Sequence, residues 1–390
     1  MLEKHFIEKL LGLQDTEIKN VERSEEKSII TIRLKREAQK CPCCGQYTDR
    51  IHDYRRQVVK DVPTFGVKTE LILEKRRYVC SCGKRFAEEN KFLPRYHRMT
   101  LRLILYVMEL LKQVCSFTDV AKQTKLSVST VIRIFDSAGI KKPDTPQIIS
   151  IDEFKGNTGG EKYNCILTDP AAHRILDILP SRHSKELSAY FKHFEHRDQV
   201  RIFISDMWKP YEDIAKTFFK NAVFVVDKYH WIRQVFWAFE RVRKDVQKKF
   251  QKEHRVYFKH SKKLLFKRFE FLEEHQKQQI MVMLSLSADL SSAYFLKERF
   301  LAILDCQNRN AAKKMLIDWI EQASHSNISS FTNCANTMFN WFSGILNSFD
   351  THHTNGFTEG CNNKIKVLKR NAFGYRNFAR FRKRILYIFS

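Results

Sequence analysis

The stretch from Ile148 to Pro180 decides the fold. It reads "IISIDEF" (Ile148 to Phe154), "YNCILTD" (Tyr163 to Asp169) and "RILDILP" (Arg174 to Pro180), joined by "GNTGGEK" and "PAAH". Each run is short, apolar and rich in β-branched residues, and each is bounded by turn formers, which is the pattern of strands. Connections this short permit only antiparallel neighbours, so the three runs predict a meander. Two more strand-like runs follow, "VRIFISD" (Val200 to Asp206) and "AVFVVDKYH" (Ala222 to His230), now separated by amphipathic helical stretches. Strand–helix alternation after a meander predicts an α/β fold whose sheet mixes strand directions.

In a ribonuclease-H-like sheet the first strand of such a meander lies beside the fourth. Asp152 sits within the first run and Asp206 ends the fourth, just before "MWKP", so the two carboxylates are expected to converge. Asp227 and His230 end the fifth run near the same place. The chain from Asp206 to the next informative segment is far longer than one connection needs, and about 231–349 shows only helical periodicity, which predicts an all-helical insertion. Its first part, "FERVRKDVQKKFQKEHRVYFKHSKKLLFKRFEF", is strongly basic, as either a second DNA track or a solvated charged helix would be. Then comes "TNGFTEGCNNKIKVLKR" (Thr354 to Arg370), with one acid, Glu359, in a basic run. On a helix Glu359, Asn363, Lys366 and Arg370 share one face, with Ile365 and Leu368 on the other. No acid follows Glu359, while Lys364, Lys366, Lys369, Arg370, Arg376, Arg380, Arg382, Lys383 and Arg384 do. A solvated helix mixes signs, so this run is read as a track for a polyanion. The acids Glu153, Asp169, Asp177 and Asp213 are read as surface or turn residues.

Upstream of the sheet the signals change. "CPCCG" (Cys41 to Gly45) and "YVCSCGKRF" (Tyr78 to Phe86) pair Cys41 with Cys44 and Cys80 with Cys82, around the strand-like "KTELILEKRRYVC". Four thiolates suit one tetrahedral structural zinc, with reduced structural thiols the alternative, and Cys43 stands where it can replace either of its neighbours. Cys115, Cys165, Cys306, Cys334 and Cys361 read as small buried residues. From Thr100 the periodicity becomes helical, and "SFTDVAKQTKLSVSTVIRIFDSAG" reads as two short helices around a tight corner: a helix-turn-helix, or a plain helical hairpin. Thr118 and Ser127 are the expected N-caps, Val120, Ala121, Leu126, Val131 and Ile134 the inward face, and Ser129, Thr130 and Arg133 the groove-facing side of the second helix. The expected organisation is a zinc-binding module over 1–95, a helix-turn-helix over 96–140, a linker at 141–147 ("KKPDTPQ") and a third domain over 148–390.

Composition agrees with a nucleic-acid partner. The chain of 390 residues carries 69 Lys plus Arg against 44 Asp plus Glu, a formal charge of +25, and its 43% hydrophobic content with 31 Phe supports packed cores. No run approaches the roughly eighteen apolar residues of a membrane span, so the expected location is the cytoplasm.

"CPCCG" with "CSCGKRF", "SIDEF", "ISDMW", "VVDKYHWI" and "TNGFTEGCNNKIKVLKR" together resemble the ISL-three-type insertion-sequence transposases over nearly the whole chain. That resemblance implies an N-terminal zinc finger, a helix-turn-helix and a ribonuclease-H-like DDE domain, with Asp152, Asp206 and Glu359 as the catalytic triad and Asp227 and His230 as a signature beside it. It implies binding to the inverted repeats of an insertion sequence, DNA cleavage and strand transfer into target DNA. Phosphoryl transfer of this kind uses two divalent ions about 3.5 to 4 Å apart, Mg²⁺ or Mn²⁺, for which three carboxylates are suitable ligands. Asp152 would serve both ions, Asp206 and Glu359 one each, with Asp227, His230, Asn363, Lys366 and Arg370 supporting and Lys369 on the DNA. Pairing two DNA ends implies a homo-oligomer. The alternatives are a non-catalytic DNA-binding regulator and a metal-dependent nuclease or resolvase without strand transfer.

Overall fold

The computed structural model describes residues 12, 16–90, 93, 97–141, 143–250, 255, 258 and 261–389. The start of the chain and the middle of the basic insertion stretch, between 250 and 261, lie largely outside them. By internal contacts the chain forms two units, one from the described residues of Met1–Lys141, Lys364–Tyr375 and Lys383–Ser390, the other from those of Lys142–Asn363 and Arg376–Arg382.

The first unit opens on a sheet ordered β1-β2-β6-β5, with β7 added to β6: β1 (Thr16–Arg23), β2 (Lys27–Leu34), β5 (Ile51–Thr64), β6 (Val67–Val79) and β7 (Arg85–Ala87). Alternation places Ile30, Ile32, Leu71 and Leu73 on its buried face. β3 (Gln39–Lys40) and β4 (Tyr47–Thr48) form a small ladder around the first cysteine pair. Three helices follow, α1 (Leu101–Leu110), α2 (Phe117–Thr124) and α3 (Val128–Ser137). Val120, Ala121, Leu126, Val131 and Ile134 are buried as expected. Ser127 caps α3, but α2 starts two residues earlier than read from sequence. Its N-cap is Ser116, not Thr118, because the capping box needs an acid three residues on, and Asp119 stands there.

The second unit is built on a sheet of order β10-β9-β8-β11-β12. β8 (Ile148–Thr158), β9 (Glu161–Asp169) and β10 (Arg174–Leu179) form the antiparallel meander, and β11 (Ile202–Ser205) and β12 (Val223–Val226) run parallel to β8. Gly159 and Gly160, at φ +63° and +86°, make the tight turn between Thr158 and Glu161, where two successive positive φ values favour glycine. α4 (Ser184–Lys192) and α5 (Lys209–Phe218) cover one face, with Phe191, Phe203, Tyr211 and Phe219 in the core between. The fifth strand is shorter than its sequence suggested. It stops at Val226, Asp227 is the N-cap of α6 (Lys228–Lys249), and His230 lies in the first turn of that helix.

The helical insertion continues through α7 (Ser261–Phe266), α8 (Glu274–Ser285), α9 (Ala288–Ile303), α10 (Arg309–Ser324), α11 (Ser329–Asn340) and α12 (Phe342–Asn347), packed around Trp231, Phe300 and Trp319. α12 lies so close to β12 that a Cβ at Gly344 would fall 2.7 Å from Val226. α13 (Gly356–Asn371) and α14 (Phe378–Ile388) complete the chain.

Three residues assigned to the surface or to a basic track do other work. Asp177 is buried in β10, accepts two hydrogen bonds from Arg382 (2.6 and 2.9 Å) and one from Tyr190 Oη. Arg384 is fully buried in the first unit. Its Nη2 donates to the carbonyls of Gln113 and Cys115, and its guanidinium lies over the rings of Phe117 and Phe135. The last turns of α14 therefore close the core of the helix-turn-helix, with Tyr387 Oη donating to the Met108 carbonyl.

Candidate active site

The strand register brings the first two carboxylates level. Ile204 pairs with Ser150 between parallel strands, and Asp206 and Asp152 each lie two residues further along. Ser205 pairs with Val226 in the next parallel ladder, so Asp227 follows at the adjacent strand end, its N–H bonded to the Ser205 carbonyl at 2.9 Å. Glu359 enters from the first turn of α13.

That turn is fastened to the sheet by buried polar groups. Ser150 Oγ donates to Asn355 Oδ1, Thr358 Oγ1 lies 2.8 Å from Thr168 Oγ1, and the Asn355 N–H donates to Asp227 Oδ1 at 3.1 Å. One turn on, Asn362 Nδ2 donates to Asp152 Oδ2 at 2.9 Å, while Asp152 Oδ1 accepts from the Glu153 N–H at 2.7 Å. The asparagine that reaches the site is thus Asn362. Asn363, selected from its four-residue spacing to Glu359, is exposed on the helix together with Lys366 and Arg370. Ile365 and Leu368 are buried, as their spacing predicts.

These carboxylates are held without enough positive charge. Burial, and then repulsion from Glu153, Asp227 and Glu359, pushes Asp152 up to about 7. Burial, with Asp152 and Glu153 adding, pushes Asp206 up to about 7 against the opposing pull of Arg233 and Arg182. Asp227 is also raised, by burial first and then by Glu359. Asp206 Oδ1 and Asp227 Oδ2 are buried with no hydrogen-bond partner. Hard oxygen donors, several of them, mutually repelling and left unsatisfied, fit divalent cations of the Mg²⁺ or Mn²⁺ type. Asp227, read from sequence only as a neighbour, belongs to this set by position and by charge.

His230 is neutral. Burial, and then Arg233, pushes its imidazole down to about 4. Arg233 Nη2 lies 3.2 Å from Nδ1, and since a guanidinium only donates, the ring proton is on Nε2, which faces Asp227 Oδ2 at 4.0 Å. Arg182, on the other flank, donates twice to Glu153 (2.9 and 3.0 Å) and stacks against Tyr163 and Trp208.

In the first unit, the sulfurs of Cys41, Cys44, Cys80 and Cys82 all lie within 4.8 Å of one another. Cys41 and Cys82 are 3.7 Å apart and Cys44 and Cys80 are 3.4 Å apart. A tetrahedron with zinc–sulfur bonds of about 2.3 Å has edges of about 3.8 Å, so the cage is of zinc size. Cys43 is exposed, outside the cluster, with its N–H directed at Cys41 Sγ. The N–H groups of Cys44 and Cys82 hold the Cys41 and Cys80 thiols below their usual range, Cys80 at about 6. On α3, Ser129 and Arg133 are exposed and Thr130 is half-buried, away from the packed face.

A mixed sheet with an acid within its first strand and acids just past the ends of its fourth and fifth, a helical insertion and a further acid on the returning helix, preceded in the sequence by a zinc ribbon and a helix-turn-helix, defines a DDE transposase. Three family models match the chain: one described as a transposase over residues 149–385, one as the zinc-finger of transposase IS204/IS1001/IS1096/IS1165 over 37–82, and one as the helix-turn-helix domain of transposase family ISL3 over 88–139. The chain belongs to the ISL3 family of insertion-sequence transposases. It is 28% identical over 394 residues, covering 97% of this chain and 96% of the relative, to the transposase for insertion sequence element IS1001 of Bordetella parapertussis. Among the described residues no helix is long and apolar enough to cross a membrane.

Proposed function

We propose that this protein recognises the terminal inverted repeats of its own insertion sequence, cuts DNA there and joins the freed end to target DNA. What supports this reading is that Asp152 and Asp206 lie level on neighbouring strands with Asp227 beside them, Asp152 and Asp227 buried, Asp206 and Asp227 each with an oxygen that has no hydrogen-bond partner, and Glu359 repelling Asp152 and Asp227 from the first turn of α13. Two divalent ions bound there would activate an attacking oxygen and stabilise a leaving one. Asp152, Asp206 and Glu359 are the proposed ligands, with Asp227 beside them. Asn362 and the Glu153 N–H orient Asp152, neutral His230 stands against Asp227, and Lys366, Lys369 and Arg370 add to the positive charge that attracts DNA phosphates.

Water attacks first and frees a 3′ hydroxyl, and the same site then directs that hydroxyl at a target phosphodiester. The zinc ribbon, holding one Zn²⁺ on its four thiolates, and the exposed side of α3, with Ser129, Thr130 and Arg133, supply recognition of the repeat. Two such ends are held by a homo-oligomer in the bacterial cytoplasm.

The test uses labelled duplex carrying the element's end, with Mg²⁺. Wild type is expected to nick at the end and yield joined products, and Glu359→Gln to bind equally well but cut at least about a thousandfold more slowly. Cleavage without joined products would reduce the reading to a nuclease. Equal cutting by the variant would remove Glu359 from the site.

A further inference from the structure

The start of α6 carries a surface that the chemistry above does not use. Tyr229, Arg233 and Trp237 are spaced four apart and share one face. The Arg233 guanidinium lies 5.1 Å from the Tyr229 ring centre and 4.4 Å from that of Trp237, and both aromatic residues are 53% exposed. They are not there to hold α6 in place: its other face does that, with Trp231, Val235, Phe239 and Val242 in the core. Arg233 Nη2 lies 3.2 Å from His230 Nδ1, and His230 Nε2 lies 4.0 Å from Asp227 Oδ2, so the stack adjoins the carboxylates.

We propose that this stack receives one or more unpaired nucleobases of the DNA strand whose phosphate sits at the carboxylates. The inference rests on the transposase reading and says more about how that site handles its substrate. Flat rings bridged by a cation match a base in two respects, a π-face against the rings and a phosphate drawn to the guanidinium. Tyr229 to Trp237 spans about 12 Å of helix, the axial length of three to four nucleotides of a strand at about 3.4 Å each. Inside a duplex the π-faces are covered by neighbouring bases, so the rings have an occupant only if the strand is locally unpaired. A protein partner is disfavoured by the charge: the surface is cationic on a chain of +25.

The experiment measures fluorescence anisotropy of the full-length protein with a labelled oligothymidylate single strand and, separately, with a labelled mixed-sequence duplex, across a salt series in Ca²⁺. Trp237→Ala is expected to weaken single-strand binding about five- to a hundredfold, with the salt slope and duplex affinity unchanged. Trp237→Phe is expected to retain most of the affinity, and Arg233→Lys to keep the salt slope while losing part of the binding. Single-strand affinity within twofold of wild type in Trp237→Ala would overturn the proposal. So would an equal loss for both DNAs, which would make the face a backbone contact or the substitution a folding defect. Because no cleavage is read, a protein that stacks bases through Trp237 but never cuts keeps this inference and refutes the proposed function, and the reverse pattern does the opposite.

Discussion

The molecule gathers four acids twice, and the two gatherings obey different physics. In the ribbon, Cys41, Cys44, Cys80 and Cys82 come from two short segments of one sheet region, and their sulfurs already stand at the separations of a filled site. In the ribonuclease-H-like unit, Asp152 comes from within a strand, Asp206 and Asp227 from just past the ends of two others, and Glu359 from a helix distant in sequence. Among the described residues the thiols alone meet within 4.8 Å. The thiol cage is closed, as a site whose metal is part of the fold must be. The carboxylates are farther apart and repel one another, as the proposed site would need to be if its ions are also to touch a reacting phosphate.

The comparison predicts opposite responses to removing one acid, and the larger effect belongs to the ribbon. Cys80→Ser deletes one of four ligands, so metal binding and the ordering of the two cysteine loops are lost together, while Ile30, Ile32, Leu71 and Leu73 keep the core of the sheet. Bound zinc, measured on the purified protein, is expected to fall from one per chain to none, with affinity reduced by more than the roughly hundredfold that a mere supporting residue costs. A variant that keeps its zinc and its end binding would mean the cage is not a metal site.

At the carboxylates the sign reverses. Asp206 is held at about 7, against an ordinary 3.8, chiefly by burial. The native state therefore binds a proton that the unfolded chain releases, and wild-type stability falls as pH rises from about 4 to about 7, then levels off. Asp206→Asn removes that cost. The metal-free variant is expected to unfold about 2–4 kcal/mol later than wild type at pH 8, to lose that advantage near pH 4, and to be inactive in cleavage. Chemical denaturation at the two pH values checks it, and an asparagine variant less stable than wild type at pH 8 would show that Asp206 is paired in the apo protein.

What could be read beforehand divides along the same line. Local pattern carried the strands, the meander, each cysteine pair and the inward face of the helix-turn-helix, because each depends on residues a few positions apart, whereas the expectation that Asp152 and Asp206 lie side by side came from the likeness to a ribonuclease-H-like sheet. The Ser116 cap was equally local, and Asp119 three residues on was its signal. What could not be read depends on contacts between distant segments. Arg382 and Arg384 look like the rest of a basic tail, and only Asp177, Phe117 and Phe135 make them structural. Likewise nothing in the spacing says that Asp227 falls just past its strand, takes the N-cap position of a helix and accepts from the Asn355 N–H.

Asn362 is the sharpest case, and it gives the smallest and most specific prediction. Asn362 and Asn363 are adjacent and chemically identical, yet about 100° apart around the helix. The one three residues past Glu359 faces Asp152 and the one four past faces solvent. If Asn362 acts by orienting Asp152, Asn362→Leu keeps the packing volume but frees one carboxylate oxygen, and cleavage should fall about ten- to a hundredfold with DNA binding unchanged. Asn363→Leu, at the exposed position, should change cutting by less than about threefold. Raising Mg²⁺ should restore part of the rate in Asn362→Leu, because a carboxylate released from its hydrogen bond is misplaced rather than missing, whereas Asp152→Asn should not respond. If the two asparagine variants cut alike, the hydrogen bond to Asp152 has no part in the reaction, and the contrast between a closed thiol cage and a carboxylate site tuned by its neighbours would lose its most direct support.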